Sequence, residues 1–268
     1  MAEITAAMVR ELRDRTGVAM MDCKSALAES GGDMEKAVDL LRKKGRAKQD
    51  KLASREAKEG RVAVAAAPDG KSGVIVEINC NTDFTGKSAP VNEVMQKALA
   101  VLLNDPRANV AEDAGVKAAL MNAAQQTGEN VRIGRTGTLA TTAGRIGTYG
   151  HYTGKVGVLV AVAGNASDDL IKDLCLHITA ARPLALDRTS IPADVIARER
   201  DIAIEQAKAT GKPQNIAEKI AEGKMRTFYE ERALLDQKFV KDDTKTVSQL
   251  LKAAGATLEG YVRLEIGQ

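Results

Sequence analysis

Over residues 1 to about 45 the apolar positions recur at helical spacing in three short blocks: Ile4, Met8, Val9 and Leu12; Met20, Cys23 and Leu27; and Ala37, Val38, Leu40 and Leu41. Thr16-Gly17-Val18 and Ser30-Gly31-Gly32 interrupt the period, and Asp33 stands where an N-cap belongs, so three small helices are predicted. A bundle of that size is marginal alone. Residues 42–58 then carry Arg42, Lys43, Lys44, Arg46, Lys48, Lys51, Arg55 and Lys58 with few apolar positions. Asp50, Glu56 and Glu59 dilute this charge and no aromatic is interleaved, which favours a solvated linker helix over a phosphate-binding stripe.

From residue 61 the period changes to that of strands. Arg61 to Ala67, a Pro68-Asp69-Gly70 turn and Gly73 to Cys80 read as a hairpin. Helical patterns follow at Val91 to Leu103 and at about 113–126. Val131 to Ala140, Arg145 to Tyr152 and Val156 to Ala163 are then expected as three strands, paired antiparallel through their short connections. Gly73-Val74-Ile75-Val76-Glu77 and Gly157-Val158-Leu159-Val160-Ala161 each precede a polar turn and a helix, a faint repeat that suggests two related α+β halves. Asp194 to about Glu231 reads as two helices joined at Gly211-Lys212-Pro213, a projecting antiparallel hairpin whose apolar stripes are Val195, Ile202 and Ile204 against Ile216, Ile220, Met225 and Phe228. A helix over Val247 to Ala254 and a returning strand over Thr257 to Ile266 close the pattern. The fold class is α+β, divided into a helical bundle with its linker (1–56), a first core subdomain (57–140), a second (141–193 with 232–268) and a helical hairpin (194–231).

Composition narrows the function. Of 268 residues 44% are apolar and 28% charged, which excludes wholesale disorder, while aromatics are only 3% with no Trp, so few rings could stack on bases. The 39 basic residues nearly balance 36 acidic ones, and the net charge of +3 lacks the basic excess of a general nucleic-acid binder. Direct nucleic-acid binding is therefore disfavoured against a protein partner. No apolar run reaches membrane-spanning length and Met1 to Arg10 carries no signal pattern, so a cytoplasmic protein without a membrane association is expected. Cys23, Cys80 and Cys175 are odd in number and far apart, which reads as buried reduced thiols.

Catalytic chemistry finds no foothold. His151 ends a strand and His177 lies in an apolar helical stretch, where packing is the simpler role. Asp168-Asp169 follow Ser167 at a helix start, where acids favour the dipole, so no metal site is read there. Gly70-Lys71-Ser72 imitates the end of a Walker sequence but sits between strands, and Gly144, Gly147 and Gly150 miss the dinucleotide spacing. The chain is read as non-enzymatic, with no cofactor, no metal and no direct nucleotide binding.

Asn81-Thr82-Asp83-Phe84-Thr85-Gly86 stands apart, because it holds one of only three Phe residues directly after an apolar strand. Either Phe84 folds back on the core behind an Asp N-cap, or it projects as a wedge for a partner, worth about 1.5 to 3 kcal/mol if buried there.

These residues carry a resemblance. Thr16-Gly17-Val18-Ala19-Met20-Met21-Asp22-Cys23-Lys24-Ser25-Ala26-Leu27, Asn79-Cys80-Asn81-Thr82-Asp83-Phe84, Gly157-Val158-Leu159-Val160, Gly211-Lys212-Pro213, Ile220-Ala221-Glu222-Gly223 and Lys245-Thr246-Val247 resemble the motifs of the elongation factor Ts family over residues 1 to 266. The resemblance implies a guanine-nucleotide exchange factor that acts on the translation GTPase elongation factor Tu. It implies an N-terminal ubiquitin-associated-like three-helix bundle docking on the GTPase domain, two antiparallel-sheet α+β subdomains as the core, and an inserted antiparallel coiled-coil hairpin. Asp83 and Phe84, flanked by Thr82 and Thr85, would intrude beside the partner's Mg²⁺ site. Lys24, Gly128, His151, Phe239 and Val240 match further positions at or supporting the interface. Thr85 replaces a usual Val, Thr127 a common Ile and Lys241 an apolar residue, and the loop between His151 and Val156 is one residue longer than is usual. The extra carboxy-terminal helix of some members is not expected here, and a dimeric complex is left open. The competing reading is an adaptor that uses the bundle and residues 42–58 to hold nascent protein or RNA.

Overall fold

The computed structural model describes residues 4–209, 211 and 213–268, with the side chains of 46–51 outside that description. Lys212 of the Gly211-Lys212-Pro213 link and the side chains of Arg46, Lys48 and Lys51 therefore lie outside the described residues.

Helices α1 (Ala6–Thr16), α2 (Met20–Glu29) and α3 (Met34–Ala53) form the opening bundle. Thr5 and Asp33 cap α1 and α3 by accepting from the backbone N–H of Met8 and Lys36, and Gly17 ends α1 in the left-handed region at φ 67°. Val9, Leu12, Val18, Cys23, Ala26, Leu27, Ala37 and Leu41 make its core. Met20, read as a core position, is exposed, because Cys23, Ala26 and Leu27 already occupy the buried face of α2. The third helix does not stop near residue 45, since nothing breaks its helical backbone before Ser54. The stretch read as a linker helix is thus in part its continuation, and α3 leans on the core where Gln125 Nε2 donates to the Leu41 carbonyl at 3.3 Å.

The body is two three-stranded antiparallel sheets packed face to face, each covered outside by helices. Strands β1 (Glu59–Ala66), β2 (Ser72–Cys80) and β3 (Arg132–Ala140) are ordered β1-β2-β3, and α4 (Asp83–Gly86), α5 (Ala89–Asn104) and α6 (Ala114–Thr127) lie between β2 and β3 in the chain. Strands β4 (Gly144–Gly150), β5 (Val156–Gly164) and, at the end of the chain, β8 (Ala256–Glu265) are ordered β4-β5-β8, with α7 (Asp168–Ala181) following β5. The faint repeat is realised in this arrangement: its two copies are the central strands β2 and β5, each with an antiparallel neighbour on both sides.

That placement explains the unbroken apolar runs. On β2, Val74, Val76, Ile78 and Cys80 face α5 and α6 while Ile75 faces the other sheet; on β5, Val158, Val160 and Val162 face α7 while Leu159 meets Ile75's layer. Antiparallel strands usually alternate because one face is wet, but here both faces are covered. The close approach of the sheets requires glycine on each central strand. A Cβ at Gly157 would stand 2.6 Å from Val62 Cγ1, and one at Gly73 would stand 2.6 Å from Ile146 Cγ2.

The expected pairing of the three middle strands holds for β4 with β5 but not for β3 with β4. Residues 141–143 instead carry the chain from one sheet to the other, and Ile146 N–H donates to the Gly70 carbonyl at 2.8 Å to tie β4 to the first hairpin's turn. Helices α8 (Ala193–Lys208) and α9 (Gln214–Arg232) lie antiparallel as a hairpin. Their seam is built of Ala203, Ala207, Ala217, Ala221 and Met225, while Ile202 and Ile216, which the sequence placed in the stripes, are exposed. Alanines let two short helices approach closely, and larger residues are left outside the seam. A small hairpin of β6 (Lys238–Phe239) and β7 (Asp242–Thr246) and helix α10 (Val247–Ala254), with a Thr246–Gln249 capping box, complete the second half.

Candidate functional site

The turn after β2 is built by hydrogen bonds before it presents anything. Thr82, in extended conformation, is the N-cap of α4 and its Oγ1 accepts from Thr85 N–H at 3.3 Å. The cap is Thr82 and not Asp83, so the carboxylate is left outside the turn. Glu129 reaches across from the end of α6: its Oε2 accepts from the N–H of Asn81 at 3.1 Å and of Thr82 at 3.0 Å, and its Oε1 accepts from Thr82 Oγ1 at 2.7 Å. Asn81 in turn donates to the Glu56 carbonyl at 2.6 Å and accepts from Asn130 N–H at 2.8 Å, while Asn130 Nδ2 donates to the Arg55 carbonyl at 2.8 Å. This network binds the turn, the end of α6 and the segment after α3 into one unit.

On that mount the Phe84 ring is 82% exposed. The folded-back reading is overturned, because Thr85 and Gly86 fill the inward positions against β1 and leave the ring no room there. Beside it Asp83 Oδ2 pairs with Lys87 Nζ at 2.9 Å. The Lys87 hydrogen bond, helped by Lys155, holds the Asp83 carboxyl below its ordinary range, so it is ionised at neutral pH. Lys155 is itself bound to Glu59 Oε2 at 2.8 Å, and that bond raises its own value. Cys80, below the turn, gives its S–H to the Thr82 carbonyl at 3.0 Å; burial pushes its pKa up to about 11 and keeps it a thiol.

The structure brings Thr82, Asp83, Phe84, Thr85, Gly128 and His151 to one end of the first sheet. Gly128 ends α6 in the left-handed region at φ 70°, immediately before Glu129. His151 lies in the β4–β5 loop, where Nδ1 meets Thr153 Oγ1 at 2.8 Å and the ring stacks on Tyr152 at a centroid distance of 4.4 Å. Lys24, Phe239 and Val240 lie elsewhere. Lys24 is exposed on α2, on the same face as the exposed Met20 and Met21. Phe239 is buried, its ring 5.8 Å from that of His177, so it supports the surface from beneath; Val240, next to it, is exposed.

His177 is wholly buried, as packing required, and fully bonded. Val240 N–H donates to Nδ1 at 3.3 Å, which assigns the proton to Nε2 and makes that nitrogen the donor to Gln237 Oε1 at 3.0 Å. Burial lowers its pKa, so it stays neutral. Ser167 caps α7 and Asp168 and Asp169 occupy its first turn, in keeping with the capping role. The departures at positions 127 and 241 find local partners, Thr127 Oγ1 donating to the Ala123 carbonyl and Lys241 Nζ bonding Asp173 Oδ1 at 2.6 Å.

Sequence reasoning missed Glu129, Asn130 and the anchoring role of Asn81. Glu129 is 47 residues from Thr82, and no local period marks such a contact. The three cysteines are free and buried. Among the described residues no group of His, Cys, Asp and Glu could hold a metal ion, and no helix is long and apolar enough to cross a membrane. The site presents an ordered turn, an exposed ring and a charged rim.

The family described as Elongation factor TS matches residues 81–268. The chain is similar to the elongation factor Ts of Methylococcus capsulatus, with 43% identity over 273 residues that cover 99% of this chain and 92% of the relative. It is 44% identical over 272 residues to that of Sodalis glossinidius, covering 100% and 93%, and 43% identical over 272 residues to that of Photorhabdus laumondii, covering 100% and 94%. With that identity sustained over nearly the full length, the chain belongs to the elongation factor Ts family and is a translation elongation factor.

Proposed function

We propose that this chain is a guanine-nucleotide exchange factor for the GTPase elongation factor Tu, and that it acts by binding rather than by covalent chemistry. The observation that carries the reading is the Phe84 ring, 82% exposed on a turn whose backbone is pinned by Glu129. A ring carried on a fixed backbone gives up little more than its own rotamer freedom when a partner buries it. Its burial contributes about 2 kcal/mol, or about 30-fold in an equilibrium constant. If that contact forms more fully with nucleotide-free partner than with the GDP form, linkage weakens GDP by the same factor. Asp83, ionised beside the ring, would compete for the surroundings of the partner's Mg²⁺, the cation that neutralises the diphosphate. GTP then refills the site and displaces the factor.

The remaining positions extend this reading. The bundle, residues 1–56, docks on the GTPase domain with Lys24 at the contact, and the core subdomains, 57–140 and 141–193 with 232–268, present the Phe84 turn, Gly128, His151 and Val240, with Phe239 beneath. The hairpin, 194–231, reaches past the body. As a translation factor of this kind the protein would work in the cytoplasm and make no use of a membrane.

The test is release of a fluorescent GDP analogue from purified elongation factor Tu. Wild type is expected to accelerate release, and the Asp83→Ala, Phe84→Ala double variant to lose at least about 30-fold of that acceleration. Equal rates for the two proteins would remove the Phe84 turn from the mechanism. No acceleration by wild type would overturn the exchange reading itself, and a binding activity that collapsed between about 50 and 200 mM salt would favour an RNA-holding adaptor.

A further inference from the structure

Phe84 is not the only large apolar side chain left in water. Tyr152, in the loop between β4 and β5, is 87% exposed, more than any other large hydrophobic residue among the described residues. A single exposed tyrosine is ordinary on a protein surface. This one differs in where its loop sits and in how firmly it is held.

The Tyr152 loop and the Phe84 turn rest on the same residue of β1. Val62 N–H donates to the Gly154 carbonyl at 2.8 Å, and a Cβ at Gly154 would stand 2.2 Å from Arg61 Nε, so the loop lies directly on the Arg61 side chain. From the α4 side, Gly86 approaches the Gly60 carbonyl and Arg61 Cγ, with a hypothetical Cβ at 3.3 and 3.4 Å. Charge links them as well, because Lys155 at the end of the loop binds Glu59 and also acts on Asp83. The two most exposed rings of the described structure thus emerge from neighbouring loops that bracket Arg61.

The loop is as firmly set as the turn. His151 N–H donates to the Val156 carbonyl at 2.9 Å, Gly154 N–H donates to the His151 carbonyl at 2.8 Å, and Gly154 itself takes φ 71°. The His151 ring, fixed through Nδ1 to Thr153 Oγ1, backs the Tyr152 ring at 4.4 Å with an interplanar angle of 43°. Tyrosine has only two side-chain torsions, and a ring backed by a neighbour on a set loop gives up little rotamer entropy on binding, the property that enriches tyrosine in protein interfaces.

We infer that Tyr152 is a second aromatic anchor for elongation factor Tu, continuous with the Phe84 surface and contributing to affinity for the partner rather than to distortion of its nucleotide site. The inference rests on the exchange reading above. The division of labour follows from the surroundings: Phe84 has the Asp83 carboxylate beside it, whereas the Tyr152 ring is backed by the His151 imidazole.

The experiment titrates nucleotide-free elongation factor Tu with wild type, Tyr152→Ala, Tyr152→Phe and Phe84→Ala, and measures GDP release at saturating factor for each. Tyr152→Ala is expected to weaken binding about tenfold while release at saturation stays within about twofold of wild type. Tyr152→Phe, which keeps the ring, should bind as wild type does. Because the side chain is exposed, thermal unfolding should be unchanged in both variants, which separates a lost contact from a damaged fold. Binding by Tyr152→Ala within about twofold of wild type would overturn the inference and leave the exchange reading standing. A loss in Tyr152→Phe equal to that in Tyr152→Ala would overturn the ring as the anchor, and absence of binding by wild type would overturn both readings together.

Discussion

The two halves of the core start alike and end differently. Each has a central apolar strand, β2 or β5, that leaves the sheet through an Asn, at 81 or 165, and reaches a hydroxyl N-cap followed by Asp: Thr82-Asp83 in the first half and Ser167-Asp168 in the second. In the second half the cap opens a 14-residue helix that buries Ile171, Leu174, Cys175 and Ile178 in one core with the β5 valines and His177 against Gln237 and Phe239. In the first it opens a helix of only four residues, after which Ser88 begins a new one; Thr85 and Gly86 take the inward positions and Phe84 is left exposed. The same local grammar therefore makes a packing element in one half and an exposed turn in the other. What separates them is a distant carboxylate: Glu129 satisfies the N–H groups of Asn81 and Thr82 and lets so short a helix persist.

The comparison can be broken from several directions. The largest effect should come from a change that both halves share. Gly157→Val places atoms into Val62 and Ile75 at the junction of the two sheets and is expected to cost about 3 kcal/mol in urea unfolding. Next, Glu129→Ala removes one acceptor from three donors at the first turn, with an expected cost of about 2 kcal/mol. If the turn carries exchange, the GDP-release rate should fall in the same variant. Ser167→Ala is the matched change in the second half: loss of the cap should cost about 1 kcal/mol with no change in GDP release. A fall in exchange for Ser167→Ala as large as for Glu129→Ala would erase the distinction between the halves.

The smallest effect is a pH dependence confined to the second half. Burial holds the folded pKa of His177 below its ordinary value of 6.5, so the unfolded chain binds a proton first. The contribution of neutral His177 is fully present above about pH 6.5, declines as pH falls through the window between the unfolded and folded values, and is lost once the folded value is passed. Urea unfolding of wild type at pH 7.5 and 5.5 should show a decrease that His177→Gln lacks, because a protonated Nδ1 can no longer accept from Val240 N–H; equal pH slopes would mean that folding does not shift the His177 pKa.

Much of this organisation was legible in the residues themselves. Thr16-Gly17-Val18 and Asp33 marked helix boundaries, the alternation and glycines of 131–163 marked strands, and the rarity of aromatics singled out Phe84, because backbone preference and capping act within a few residues. The errors had a common cause. Ile202 and Ile216 fit the helical period of the hairpin as well as Ala203 and Ala217 do, and only the closeness of α8 to α9 selects the alanines. Met20 fits the period of α2 but lies outside a face already filled by Cys23, Ala26 and Leu27.

The sequence by itself determined most of the elements, though not α4 or the β6–β7 hairpin, together with the apolar character of both central strands and the presence of an unusual phenylalanine after the first of them. Tertiary structure alone decided that β3 and β4 belong to different sheets, that Glu129 closes the turn from 47 residues away, and that the Phe84 turn and the Tyr152 loop both rest on Arg61 through Gly86 and Gly154. Propensity and capping energies are local and can be read along the chain. Exposure and adjacency depend on which surfaces the folded chain has already covered.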